Sequence, residues 1–145
     1  MHSDRLFGMT TDAERQLCGL VNALSRQIED HLRERAVTLD LTAAQATALR
    51  ELSGPMTMRE LSGRMTCEPS NATFVIDKLE GRGLVERRPH PHDRRAKQLV
   101  LTPEGIALRE QLLELLSADS PLAALSQGEQ TTLHELLLRA KTSTP

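Results

Sequence analysis

The residues best equipped for chemistry crowd between Lys78 and Lys97. There Lys78, Arg82, Arg87, Arg88, Arg94, Arg95 and Lys97 face only Glu80, Glu86 and Asp93. A run of cations of this density suggests one surface for a polyanion. The competing reading is a solvated face that is basic by chance, and charge alone does not separate the two. The same stretch contains His90-Pro91-His92-Asp93, whose imidazoles and carboxylate are zinc-type ligands. Prolines on both sides of His90 splay these side chains, so solvated residues at a hairpin tip are the expected outcome. Ser, His and Asp all occur, yet no nucleophile elbow, phosphate loop or metal-protease spacing is present. Neither catalysis nor a bound cofactor or metal is expected. Cys18 and Cys67 do not make a disulfide framework.

The whole chain frames that run. Its 145 residues are about the size of one domain, and its net charge of −2 argues against a simple polycation. The average hides an asymmetry. From Thr42 to Thr102 there are ten Lys or Arg against seven Asp or Glu, and elsewhere eight against thirteen. Phe7 and Phe74 are the only aromatics. A core of leucine, alanine, valine and methionine suits helices better than sheets, and base stacking on an aromatic platform is excluded. Apolar runs fall far short of the roughly 20 residues that cross a bilayer. Residues 1–16 lack the apolar stretch of a secretory leader, so a cytoplasmic protein with no membrane partner is expected.

Periodicity supplies the elements. Leu17, Leu20, Val21, Leu24, Ile28 and Leu32 recur by threes and fours, which predicts an amphipathic helix from about Asp12 to Arg35. Thr42 with Gln45, and Thr57 with Glu60, are capping-box pairs that open two short helices. Gly54-Pro55 is expected to end the first of these. Pro69 opens a third, striped by Ala72, Val75, Ile76 and Leu79 and stopped by Gly81 and Gly83. The period then changes: Leu84 to Arg88 and Gln98 to Leu101 read as strands around a turn-rich basic tip. Thr102-Pro103-Glu104 caps a helix bearing Ile106 to Leu116, and Ser126 with Glu129 caps a last one bearing Leu133, Leu136, Leu137 and Ala140.

Three short helices followed by a basic hairpin form a winged helix-turn-helix. A helix can enter a major groove about 12 Å wide while a thin hairpin reaches the minor groove. The predicted recognition helix offers Ser70, Asn71, Thr73, Asp77 and Lys78 on its polar face. A protein-binding module without DNA binding is the alternative from another class, and a titration against random duplex DNA at low salt separates them.

The stretch from Leu41 to Gly105 resembles the multiple antibiotic resistance regulator (MarR) family of bacterial transcription factors. Leu61 to Met65, Ile76-Asp77-Lys78-Leu79-Glu80, Gly83-Leu84-Val85-Glu86-Arg87, Asp93-Arg94-Arg95 and Leu101-Thr102-Pro103-Glu104-Gly105 carry the likeness in order and spacing. The resemblance implies a single domain over 1–145, mainly α with a small β-hairpin. A winged helix-turn-helix DNA-binding lobe over 42–102 joins a helical dimerisation region over 11–37 and 103–142. It further implies a homodimeric repressor that binds an imperfect palindrome of double-stranded DNA and is released by a small-molecule effector. The family's wing motif, Asp-X-Arg, falls on Asp93 and Arg95, with the carboxylate expected to hold the guanidinium for a narrow minor groove. Arg88, Arg94 and Lys97 are expected phosphate contacts. Phe74 stands where many relatives carry a small or basic residue. Exposed, it would pack on thymine methyls, but folding back against the hairpin base is the expected placement. Gln16-Leu17-Cys18 with Ser25-Arg26 is similar to the first helix of the organic hydroperoxide regulators, a redox-sensing branch in which the matching cysteine senses peroxide. Tyrosines support that thiolate in the branch, and this chain has none, so an inert Cys18 is the expected reading. Cys67, just before the recognition helix, is a second oxidisable thiol. His31 and His134 are expected at interface edges.

Overall fold

The computed structural model describes residues 2–142, with side chains from Thr11 onward. Six helices and two strands follow one another as α1 (His2–Thr38), α2 (Ala43–Glu51), α3 (Met58–Met65), α4 (Pro69–Gly81), β1 (Val85–Pro89), β2 (Lys97–Leu101), α5 (Pro103–Ser117) and α6 (Gln127–Thr142). The mainly helical class with one hairpin is as the sequence predicts. α1 starts earlier than its apolar spacing indicates, because Gly8 and Thr10-Thr11 are poor helix formers that mask the continuation. α2 ends at Glu51, ahead of Gly54-Pro55, with the Leu52 N–H donating to the Ala48 carbonyl at 3.0 Å. No helix among the described residues is long and apolar enough to cross a membrane.

Two compact units divide the chain, residues 29–118 and the pair of segments 1–28 and 119–145. The central unit holds a continuous apolar core. Leu49 and Leu52 around α2, Leu61 of α3, Ile76 and Leu79 of α4, Val85 and Leu99 of the hairpin and Leu112 of α5 are all at most 1% exposed. Arg109 of α5 caps the end of α2 by donating to the Leu49 and Arg50 carbonyls at 2.9 and 3.0 Å. Arg35 and His31 of α1 do the same for the end of α5, on Leu115 and Leu116 at 3.1 and 2.8 Å. The Arg109 and Arg35 guanidiniums meet the negative ends of these helices. His31 therefore links α1 to α5, and His134 is exposed.

Local chemistry fixes the helix starts. Thr42 and Gln45 close a reciprocal capping box at 3.1 and 3.2 Å. At α3 only half of the expected box forms: Thr57 accepts from the Glu60 N–H, but the Glu60 carboxylate takes the Thr57 hydroxyl instead of its N–H. Ser126 and Glu129 close the box at α6, and the Ser126 N–H and hydroxyl hold the Glu129 carboxyl below the usual carboxylate range.

The hairpin pairs Val85 with Leu101 through Pro89 with Lys97, antiparallel. Each strand runs one residue nearer the tip than expected. A third stretch joins it at a single point, where Met56 and Leu99 exchange backbone hydrogen bonds of 3.2 and 2.7 Å. That bridge ties the α2–α3 connection to the hairpin base. Buried Thr102 closes the other side, accepting from the Gly105 N–H at 3.0 Å and donating to the Gly83 carbonyl at 2.6 Å.

Candidate nucleic-acid interface

Helix α4 has one buried and one open side. Ala72, Val75, Ile76 and Leu79 face the core, so the 3.6-residue period turns Ser70, Asn71, Phe74, Asp77 and Lys78 to solvent. Pro69 occupies the first turn, where its missing N–H costs nothing. Upstream, Thr66 adopts a left-handed backbone (φ 54°), which ends α3 and sets the turn into α4. Gly83, at φ 73°, supplies the matching bend out of α4. Thr73 is half-buried, and its hydroxyl donates to the Pro69 carbonyl at 3.0 Å. That donor is already engaged, so Thr73 presents less to a partner than its polar type suggests.

Phe74 corrects the sequence expectation. Its ring does not fold back against the hairpin but lies 64% exposed, with the Lys78 ammonium 5.3 Å from the ring centroid. Residues i and i+4 meet on a helix face, and the side of α4 facing the core is already filled by its apolar stripe.

The wing is joined to this helix by a residue the sequence reading assigned no such role. Arg87 of β1 forms ion pairs with Asp77 and, at 3.5 Å, with Glu80, both on α4. Asp77 and Glu80 lie three apart and share a helix face. That spacing, opposite an arginine on the next strand, was the available signal. Asp77 therefore faces the hairpin as a holding group.

At the tip the expected Asp93–Arg95 clamp takes another form. The Asp93 carboxylate accepts the Arg95 backbone N–H at 3.0 Å, not its guanidinium. A short acidic side chain closes its own turn two residues on more readily than it reaches a long flexible one. The turn is completed by the Ala96 N–H on the Asp93 carbonyl and the His90 N–H on the Ala96 carbonyl, both 3.1 Å. His90 Nδ1 accepts from the His92 N–H at 3.1 Å, so one imidazole is part of the same turn.

The cation count overstates the charge available to a ligand. Arg82 donates to the Asp40 carbonyl at 2.7 Å, Arg87 is held by α4, and Arg88 pairs with Glu86 at 2.9 Å. Arg94, Arg95 and Lys97 at the tip are exposed and make no ion pair among the described residues, and Lys78 stands over Phe74. Free positive charge is thus gathered at two places, the recognition-helix face and the wing tip. Cys18 is exposed on α1, and Cys67 is half-buried beside the α3–α4 turn.

The MarR family model matches residues 41–97. The multiple antibiotic resistance protein MarR of Escherichia coli is 31% identical over 123 residues, covering 81% of this chain and 85% of that protein. The organic hydroperoxide resistance transcriptional regulator of Bacillus subtilis is 26% identical over 104 residues, covering 70% of this chain and 71% of that protein. A mutant MarR from E. coli, solved in complex with operator DNA, is similar at a TM-score of 0.68 and 30% identity, covering 90% of this chain and 94% of that one.

Proposed function

The chain belongs to the MarR family of transcriptional regulators, and on that premise we propose that it is a homodimeric repressor of an imperfect palindrome. Ser70, Asn71, Phe74 and Lys78 of α4 take the major groove, and Arg95 takes the flanking minor groove. Arg94 and Lys97 take phosphates, with Arg88 a weaker third. One observation carries the reading: an exposed helix face is locked through Arg87 to a hairpin whose tip holds three exposed cations free of ion pairs among the described residues. A helix and a hairpin held side by side can address two adjacent grooves at once, which an isolated helix cannot. Selection of bound genomic fragments, compared with titration against random duplex DNA at low salt, tests it. Equal affinity for selected and random duplexes would leave only non-specific binding.

Dimerisation is supported by unit composition. Of the side chains described in segments 1–28 and 119–145, those of residues 11–28 and 119–142, none is buried, and Leu17, Leu20, Val21, Leu136, Leu137 and Leu138 are 44–67% exposed. So much exposed leucine calls for a second copy to cover it. We assign the release signal to a small-molecule effector, the mode the resemblance implies, acting in the cytoplasm where the operator lies. In a chain without Tyr or Trp its pocket rests on leucine, methionine and arginine side chains.

A second reading is favoured by the exposure of Cys18 together with the hydroperoxide-regulator relative. On this reading peroxide weakens operator binding by the native chain and leaves Cys18→Ser unaffected. Equal responses in both remove Cys18 from the mechanism.

A further inference from the structure

The geometry points to Phe74 as a specificity-determining residue that reads the 5-methyl group of a thymine in each operator half-site. The inference rests on the DNA-binding reading above and narrows it to one chemical group on one base. Phe74 is one of only two aromatic residues in the chain, and its ring is 64% exposed. An exposed phenyl ring on a helix face otherwise presenting Ser70, Asn71 and Lys78 is apolar surface left mostly outside the core, and it gains on being covered. A single ring within a polar rim is too small a patch for a stable protein partner, which needs roughly 800 Å² on each side. In the major groove, by contrast, the one apolar feature on the edges of the four ordinary bases is the thymine methyl, a target of matching size.

The position and the neighbour support the assignment. Phe74 lies little more than one turn beyond Pro69, in the part of a recognition helix that comes closest to base edges. Lys78 places its ammonium 5.3 Å from the ring centroid. That cation–π contact restrains two side chains that would otherwise be mobile. It orders the ring before DNA arrives and lowers the entropy lost on binding. It also sets the cation beside the methyl-reading ring, within reach of an adjacent guanine, whose O6 and N7 accept from lysine.

The test uses the full-length protein and a duplex selected by it from a random-sequence library. Each thymine is replaced in turn by deoxyuridine, which removes the methyl and leaves base pairing unchanged. We expect one symmetry-related pair of positions at which the replacement weakens binding about fourfold per half-site, the scale of burying one methyl-sized group. Phe74→Ala, on an exposed site that leaves the core untouched, binds thymine and uracil duplexes alike at those positions. Phe74→Leu, which keeps an apolar tip, retains part of the discrimination. Tight binding with no uracil-sensitive position overturns the inference, as does equal sensitivity in the native protein and Phe74→Ala. Failure of the underlying DNA-binding reading looks different: the native protein then selects no duplex over random sequence, and both statements fall together.

Discussion

At the wing tip, each arginine's surroundings decide what it can do for DNA. Arg95 carries no ion pair among the described residues, and the turn that presents it is closed by Asp93 through the backbone. Its guanidinium is therefore free to enter a narrow, electronegative minor groove. Arg95→Ala should cost on the order of 1–3 kcal/mol of binding, with the loss largest on A·T-rich flanks. Two operators differing only in their flanks check this by titration, and equal losses on both would remove groove-shape reading from Arg95. Arg94 and Arg88 should behave differently although both are exposed arginines of the wing. Neutralising a phosphate with Arg94 releases a counterion, so Arg94→Ala should lower the salt slope of binding by about one. Arg88 brings Glu86 with it at 2.9 Å, and that carboxylate offsets its charge. Arg88→Ala should thus change the slope by clearly less than Arg94→Ala, and Glu86→Ala should strengthen binding. Matching slopes for the two arginine variants would show that Arg88 abandons Glu86 on DNA.

Between elements, stability concentrates where the hairpin meets α5. Thr102 bridges Gly83 and Gly105, and the Leu84 carbonyl takes the Thr102 N–H at 3.1 Å. A Cβ on Gly105 would fall 2.0 Å from that carbonyl oxygen, which is backbone and cannot swing aside. Gly105→Ala should therefore destabilise the fold by about 1–3 kcal/mol or more in urea unfolding. Gly81→Ala, with open space around the added carbon, is the control and should be neutral or slightly stabilising. Unchanged stability of Gly105→Ala would mean that the junction yields. The same junction shows what the sequence could reveal. Thr102-Pro103-Glu104 announced a helix start because capping is local chemistry, and the apolar stripe of α4 announced its buried face because periodicity is local too. The Arg88 pairing with Glu86 and the outward Phe74 were not legible, and the Arg87 link showed only as the three-residue spacing of Asp77 and Glu80, without naming its partner. Each depends on how a strand side chain or ring is placed once the hairpin has docked. Asp93 misled for a related reason: a carboxylate two residues before an arginine has two donors within reach, and the backbone N–H is nearer.

For the whole molecule, the decisive quantity is apolar area left uncovered. α6 has no buried residue, and α1 buries only Leu32 and Ala36 among its described side chains. At roughly 25 cal/mol per Å² of apolar surface removed from water, covering such helices is favourable, and the proposed dimer would cover them. We expect sedimentation at micromolar concentration to give the dimer mass, and a sharp monomer would contradict the proposed assembly. A dyad then fixes the DNA geometry. In the proposed dimer, two copies of α4 related by a two-fold axis would enter successive major grooves about one helical turn apart, so the operator should be an imperfect palindrome of roughly 16–20 base pairs. Linking the half-sites through the dimer makes the second contact effectively intramolecular, which multiplies affinity on the order of a hundredfold or more. Inserting about five base pairs at the centre of the operator rotates one half-site to the far side of the duplex by half a turn. Affinity should then fall to that of a single half-site. Leu20→Glu combined with Leu136→Glu, aimed at the exposed leucines of α1 and α6, should produce the same loss on the unmodified operator by giving monomers. If the native protein binds the spaced operator as tightly as the original, its two recognition helices are not held by one dyad.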